Sequence, residues 1–194
     1  MDNKLLILGG SLGILISGCA LTPDTVSIRP TVEDLAINVG RGQQVWINIS
    51  DDRPSNVIGT RDVLGVGGQV TVAGDLSSSI KNAVTDGLKK QGFKVVDSSG
   101  PESRELRIVI HNFRYKNGVG FASGKLDITF ELEGVCAPDS AGYYENFYLG
   151  EDKEDPLIAP TSGQNEEYIN IAISQAINKL LRDSKLTACL INFK

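Results

Sequence analysis

The sequence predicts an α+β domain: a mixed, mostly antiparallel sheet with two amphipathic helices packed on one face. Two observations lead there. Several stretches alternate apolar and polar residues with period two, most cleanly Leu126, Ile128, Phe130 and Leu132 between Lys125, Asp127, Thr129, Glu131 and Glu133. Two others repeat apolar residues at helical spacing: Leu76, Ile80, Val84 and Leu88, then Ile169, Ala172, Ile173, Ala176, Ile177 and Leu180. Each helix then has one apolar stripe to bury, and one sheet face can receive both.

The chain opens with one Lys (Lys4) and an apolar run from Leu5 to Ile16. About a dozen residues is too short to span a roughly 30 Å hydrocarbon core, and matches the apolar region of a signal peptide. The run ends Ile16-Ser17-Gly18-Cys19. This resembles the bacterial lipobox, in which an apolar residue and two small residues precede a Cys. The resemblance implies cleavage between Gly18 and Cys19 and a diacylglyceryl group on the Cys19 sulfur. Two or three acyl chains, palmitate among them, at ~0.8 kcal/mol per buried CH₂ make a lasting anchor. The competing reading is an ordinary secretory signal with Cys19 incidental. Ala20, rather than Asp, follows the Cys, which in lipoproteins of enteric type implies export to the outer membrane. The chain therefore divides into a signal peptide (1–18), an acylated Cys with a tether (19–43) and one periplasmic domain (44–194).

Pro23, Pro30, Gly40 and Gly42 punctuate the tether, with a short extended piece near Val26. Val45, Ile47 and Ile49 alternate with Trp46, Asn48 and Ser50 as a strand, which ends at Asp51-Asp52-Arg53-Pro54. The Gly-rich stretch 55–74 lacks Gly-Lys-Ser/Thr and GxGxxG, so it reads as a hairpin turning at Gly67-Gly68 and not as a phosphate loop. Asp75 caps the first helix and Gly92 closes it. A short strand, Phe93 to Val96, follows. Glu105 to Tyr115 is a long strand with Leu106, Ile108 and Ile110 on one face and Val109, His111, Phe113 and Tyr115 on the other. The strand at Leu126 and another from Tyr143 to Leu149 complete a meander. Residues 151–163 read as a loop, Asn165 as the cap of the second helix, and Leu186 to Phe193 as an apolar tail.

Lys and Arg number 19 against 24 Asp and Glu, a formal charge of −5. That balance gives no electrostatic footprint for nucleic acid. Removing residues 1–18 leaves the charge unchanged and leaves enough chain for a sizeable core. Cys136 and Cys189 remain after acylation of Cys19. In an oxidising periplasm they form either a disulfide or two separate buried thiols. They lack CxxC spacing and the chain has one His, His111, so no metal site is expected.

The lipobox, a strand ending Ile47-Asn48-Ile49-Ser50-Asp51-Asp52-Arg53, and a helix opening at Asp75-Leu76 and ending near Gly92-Phe93 resemble the YajG-like family of bacterial lipoproteins. The resemblance covers most of residues 19–183. It implies an outer-membrane anchor and a domain facing the periplasm, and it brings no catalytic residues and no cofactor.

Asp51 and Arg53 follow a strand end, where Arg53 binds an anion or pairs within the turn; the turn is favoured. His111 reads as a hydrogen-bonded structural residue, since no GxSxG or HExxH is present. Glu151, Asp152, Glu154 and Asp155 lack an EF-hand register and read as solvated charge. With helices covering one sheet face, Trp46, Phe113 and Tyr115 are expected on the other as a contact site for a partner, unless tether, tail or loop covers them. The leading function class is a non-enzymatic binding or assembly subunit held to the membrane through Cys19 and touching other envelope proteins, as in a secretion or motility machine. The alternative is a carrier of a small apolar or glycan ligand in the helix–sheet crevice. An enzyme ranks last.

Overall fold

A computed structural model describes residues 22–33, 35–63, 66–119, 124–136, 143–156 and 160–191. Gly18 and Cys19 lie outside them. In chain order the elements are β1 (Asp24–Val26), β2 (Gln44–Asp51), β3 (Val57–Val63), β4 (Val66–Val72), α1 (Leu76–Lys90), β5 (Lys94–Val96), β6 (Ser103–Val119), β7 (Gly124–Cys136), β8 (Tyr144–Glu154), α2 (Ser162–Arg182) and α3 (Ser184–Ile191).

β6 is the axis of one mixed sheet curled as a half-barrel. Along one edge it carries β2 beside its first half and β3 beside its second, both parallel to it. β5 extends β2, while β4 and then β1 extend β3. Along its other edge β6 pairs antiparallel with β7 from Leu106↔Cys136 to Val119↔Gly124, and β7 pairs antiparallel with β8. The long ladders are thus the antiparallel meander foreseen from the alternating pattern.

The helices lie on one face of the sheet and bury the stripes read from their spacing. α1 begins at the cap Asp75, which accepts from the Ser77 N–H at 3.0 Å, and ends before Gly92 at φ +85°. α2 buries Ile169, Ala172, Ile173, Ala176, Ile177 and Leu180. A Cβ on Gly150 of β8 would lie 1.8 Å from the Ala172 carbonyl oxygen, so the helix sits almost on the strand backbone. The cap of α2 is Thr161, not Asn165. Thr161 and Gln164 form a reciprocal capping box, which satisfies two backbone donors where Asn165 would satisfy one. Asn165 is instead fully buried.

Four further expectations are corrected. First, β6 does not alternate throughout. Its register with β7 shifts between Ile110 and Asn112, so His111 is an extra residue and the faces exchange beyond it. Phe113 and Tyr115 therefore continue the inward face of Leu106, Ile108 and Ile110, at 6% and 1% exposure. Trp46 alone of the expected aromatic trio stays half-buried on the outer face. Second, Gly67 and Gly68 are not the turn of the hairpin: they belong to β4, where they pair with Asp62 and Arg61 of β3. Third, β8 continues through the acidic run to Glu154, because β7 offers it partners as far as Leu126.

Fourth, residues 22–43 are not a free tether. β1 joins the sheet beside β4. Residues 27–33 then lie along α2 as a strap. The N–H groups of Ser27, Arg29, Thr31 and Glu33 donate to Glu166 Oε2, Asn170 Oδ1, Ser174 Oγ and Asn178 Oδ1 at 3.1, 2.6, 2.8 and 3.0 Å. Two residues of extended chain advance about 6.7 Å and four of helix about 6.0 Å, so donors at every second position meet acceptors at every fourth. Pro30, without an N–H, falls on the set that needs no donor. The segment ends with the Gly40 and Gly42 N–H groups on the carbonyls of Gln91 and Gly92, both at 2.8 Å.

Candidate functional site

The ends of β8 and α2 that meet at Asp183 hold the densest set of polar contacts beside open surface. Asp183 separates α2 from α3. Its Oδ1 accepts the N–H groups of Lys185 and Leu186 and so starts α3. Its Oδ2 accepts from the hydroxyls of Tyr144 and Tyr148, each at 2.8 Å, and from Asn146 Nδ2 at 3.2 Å. Partial burial pushes the carboxyl up, but the Tyr144, Tyr148, Leu186 and Asn146 donors outweigh it and hold Asp183 below the ordinary carboxylate range. The same burial and the neighbouring charge raise Tyr148 and Tyr144, which remain neutral donors.

Two open clefts flank this hub. One, of about 670 Å³, runs between β8 and the last turns of α2 and has Tyr148, Leu149, Gln175, Lys179 and Arg182 along it. Lys179 Nζ and Gln175 Oε1 close the strand's outer edge by bonding the Leu149 carbonyl and the Glu151 N–H. The sheet face beyond that edge exposes Phe147 at 52% and Leu149 at 38%. The other cleft, of about 560 Å³, lies between residues 36–41, the end of α2 and α3. Ile37, Val39, Leu181 and Ile191 give it an apolar lining, and Arg41 and Arg182 stand at its rim. Gln91, 4% exposed, donates to the Leu181 carbonyl at 2.8 Å, while its Oε1 has no partner among the described residues.

At the opposite end of α2 a buried polar cluster closes the core. Asn165 Nδ2 donates to Asp24 Oδ2 at 3.0 Å, and the Tyr115 hydroxyl donates to Asn165 Oδ1 at 2.8 Å. Arg61 lies 3.5 Å from Asp24 and donates to the Pro160 carbonyl. Burial is the main cause that lifts Tyr115 to about 12, against the pull of Arg61. The Asn117 amide faces this hydroxyl but makes no well-formed hydrogen bond. The cluster joins β1, β3, β6 and α2, so its geometry is that of a structural lock.

Cys136 and Cys189 are joined in a disulfide with Cα atoms 6.2 Å apart, which ties α3 to the end of β7. Arg53 turns back onto Asp51 with two bonds of 2.8 and 2.7 Å and stacks on Phe113 at 5.6 Å, so it is held within the turn that follows β2. His111 reaches Glu133 at 2.6 Å on the outer face and lies against Phe147. Among the described residues no three His, Cys, Asp or Glu side chains are placed to hold a metal. Asp183 escaped the sequence reading, although an Asp-Ser pair between two apolar helical stretches is itself a cap signal.

A family model described as "uncharacterized lipoprotein" matches residues 30–190. Among solved structures, a Xanthomonas campestris protein of a family of unknown function (DUF330) superposes with a TM-score of 0.54 at 14% identity, over 85% of this chain and 95% of that one. A minor lipoprotein from Acinetobacter baumannii gives 0.48 at 9% identity over 76% and 96%. The rare lipoprotein B of Shewanella oneidensis gives 0.41 at 14% over 70% and 90%. No curated protein matches the chain.

Proposed function

Because the chain belongs to a family of uncharacterized bacterial lipoproteins, we propose that it is a non-enzymatic binding or assembly subunit, acylated at Cys19 and held in the outer membrane with its domain in the periplasm. The observation that carries this reading is the family match beginning shortly after the lipobox Ile16-Ser17-Gly18-Cys19. No described helix is long and apolar enough to cross a membrane, which is consistent with a lipid as the means of attachment. The surface best suited to a partner is the outer face of β8, where Phe147 and Leu149 stand exposed beside the cleft at Asp183. It replaces the expected patch of Trp46, Phe113 and Tyr115, two of which are buried.

A photo-crosslinking residue at Phe147, compared with one at Lys94 on the short edge strand β5, tests this in the native envelope. The reading expects one defined adduct from position 147, lost in Cys19→Ala. Equal, diffuse labelling from both positions would refute it. The apolar cleft at Ile37 and Leu181 supports a second reading, a carrier of a small amphiphile whose anionic group meets Arg41, since Arg182 already pairs with Glu33. Lipid retained by the wild type and lost in Ile37→Arg, at an exposed position of the same cleft, would favour that reading over the first.

A further inference from the structure

We infer that the domain rests directly on the bilayer, and that the pole formed by the ends of β3, β4, β6 and β7 is its lipid-facing surface. The inference depends on acylation of Cys19, as proposed above. β1 enters the sheet with Asp24 opposite Val70, and the chain is already in place at Thr22: a Cβ on Gly68 would lie 2.3 Å from the Thr22 carbonyl oxygen. Only Ala20 and Leu21 separate Thr22 from Cys19. Three residue steps reach at most about 11 Å. The acyl chains are therefore confined to this pole, because the segment that would have given reach is spent on the sheet and on α2.

Other elements end at the same pole. Val63 pairs with both Val66 and Val119, Val119 pairs with Gly124, and the Gly124 N–H donates to the Pro156 carbonyl at 2.9 Å. α2 starts here and its 21 residues carry it about 31 Å away. Both clefts at Asp183 consequently face away from the membrane, and Phe147 is offered to the periplasm.

The test places one cysteine at Gln69 or Lys125, exposed at this pole, or at Lys185, exposed at the far one. Cys136 and Cys189 are bridged and Cys19 is alkylated, so the new thiol reacts alone. The acylated, dye-labelled protein is bound to phosphatidylethanolamine–phosphatidylglycerol vesicles carrying a nitroxide on the headgroup. Quenching several-fold stronger at positions 69 and 125 than at 185 is expected, with the single Trp46 left bright. Equal quenching at all three positions, in protein that floats with the vesicles, would overturn the surface while leaving the anchor standing. Protein that does not float would overturn the anchor, and the surface with it.

Discussion

Asp183 accepts five donors, two on one oxygen and three on the other, and its lowered pKa has a consequence for stability. A carboxyl whose folded pKa is depressed contributes stability above its unfolded value near 4 and loses it as pH falls through the folded pKa. Asp183→Asn should therefore be less stable than the wild type at pH 7, with the gap narrowing as pH falls below about 4. Urea titrations at both pH values give the comparison, and a gap independent of pH would assign the loss to shape, not charge. Asn165 makes a similar point with neutral groups. In Asn165→Leu, the Tyr115 hydroxyl and the Asp24 carboxylate lose partners in a buried site, at about 1–3 kcal/mol for each group. A loss below about 0.5 kcal/mol would mean that water or Arg61 takes over. At this scale the sequence was legible where a local rule governs, as at Asp75 and Gly92. It was illegible at His111, because a bulge depends on the partner strand, and one extra residue was enough to exchange the surroundings of Phe113 and Tyr115.

Among the elements, the strap is the one whose periodicity hid it. Residues 27–33 carry no apolar alternation strong enough to read as a strand, and their partners are polar side chains of a helix far along the chain. Asn170 and Asn178 each bond the strap twice, as acceptor of one N–H and donor to one carbonyl. Replacing both with Ala should leave α2 folded and raise amide exchange at Arg29 and Glu33 by at least tenfold. Unchanged exchange there would show that burial of Ile28 and Val32, and not the ladder, holds the strap. The disulfide acts on a different element. It closes a separation of 53 residues, and by the loop-entropy estimate contributes about 4 kcal/mol. Cys136→Ala with Cys189→Ala should lower the unfolding free energy by roughly that amount, or less where the native state relaxes. Helices were more legible than strands here because the α1 and α2 stripes are set by their own spacing, while β3 and β8 take their lengths from neighbours.

For the whole molecule, the fold class followed from two amphipathic helices and a run of alternating strands, since the helices can share one sheet face. What the sequence could not supply was the route of the first described residues. Spent on β4 and on α2, they turn an expected tether into part of the domain and, with Cys19 acylated as proposed, would fix which pole receives the lipid. The account is then a lipoprotein whose attachment sets both its height above the leaflet and the direction in which its clefts open. All of this hangs on Cys19. The most direct measurement is intact and peptide mass spectrometry of the protein made in its own envelope. The account predicts a mature chain beginning at Cys19, with a diacylglyceryl thioether on its sulfur. A chain that begins elsewhere, or that carries a bare Cys19, would contradict it.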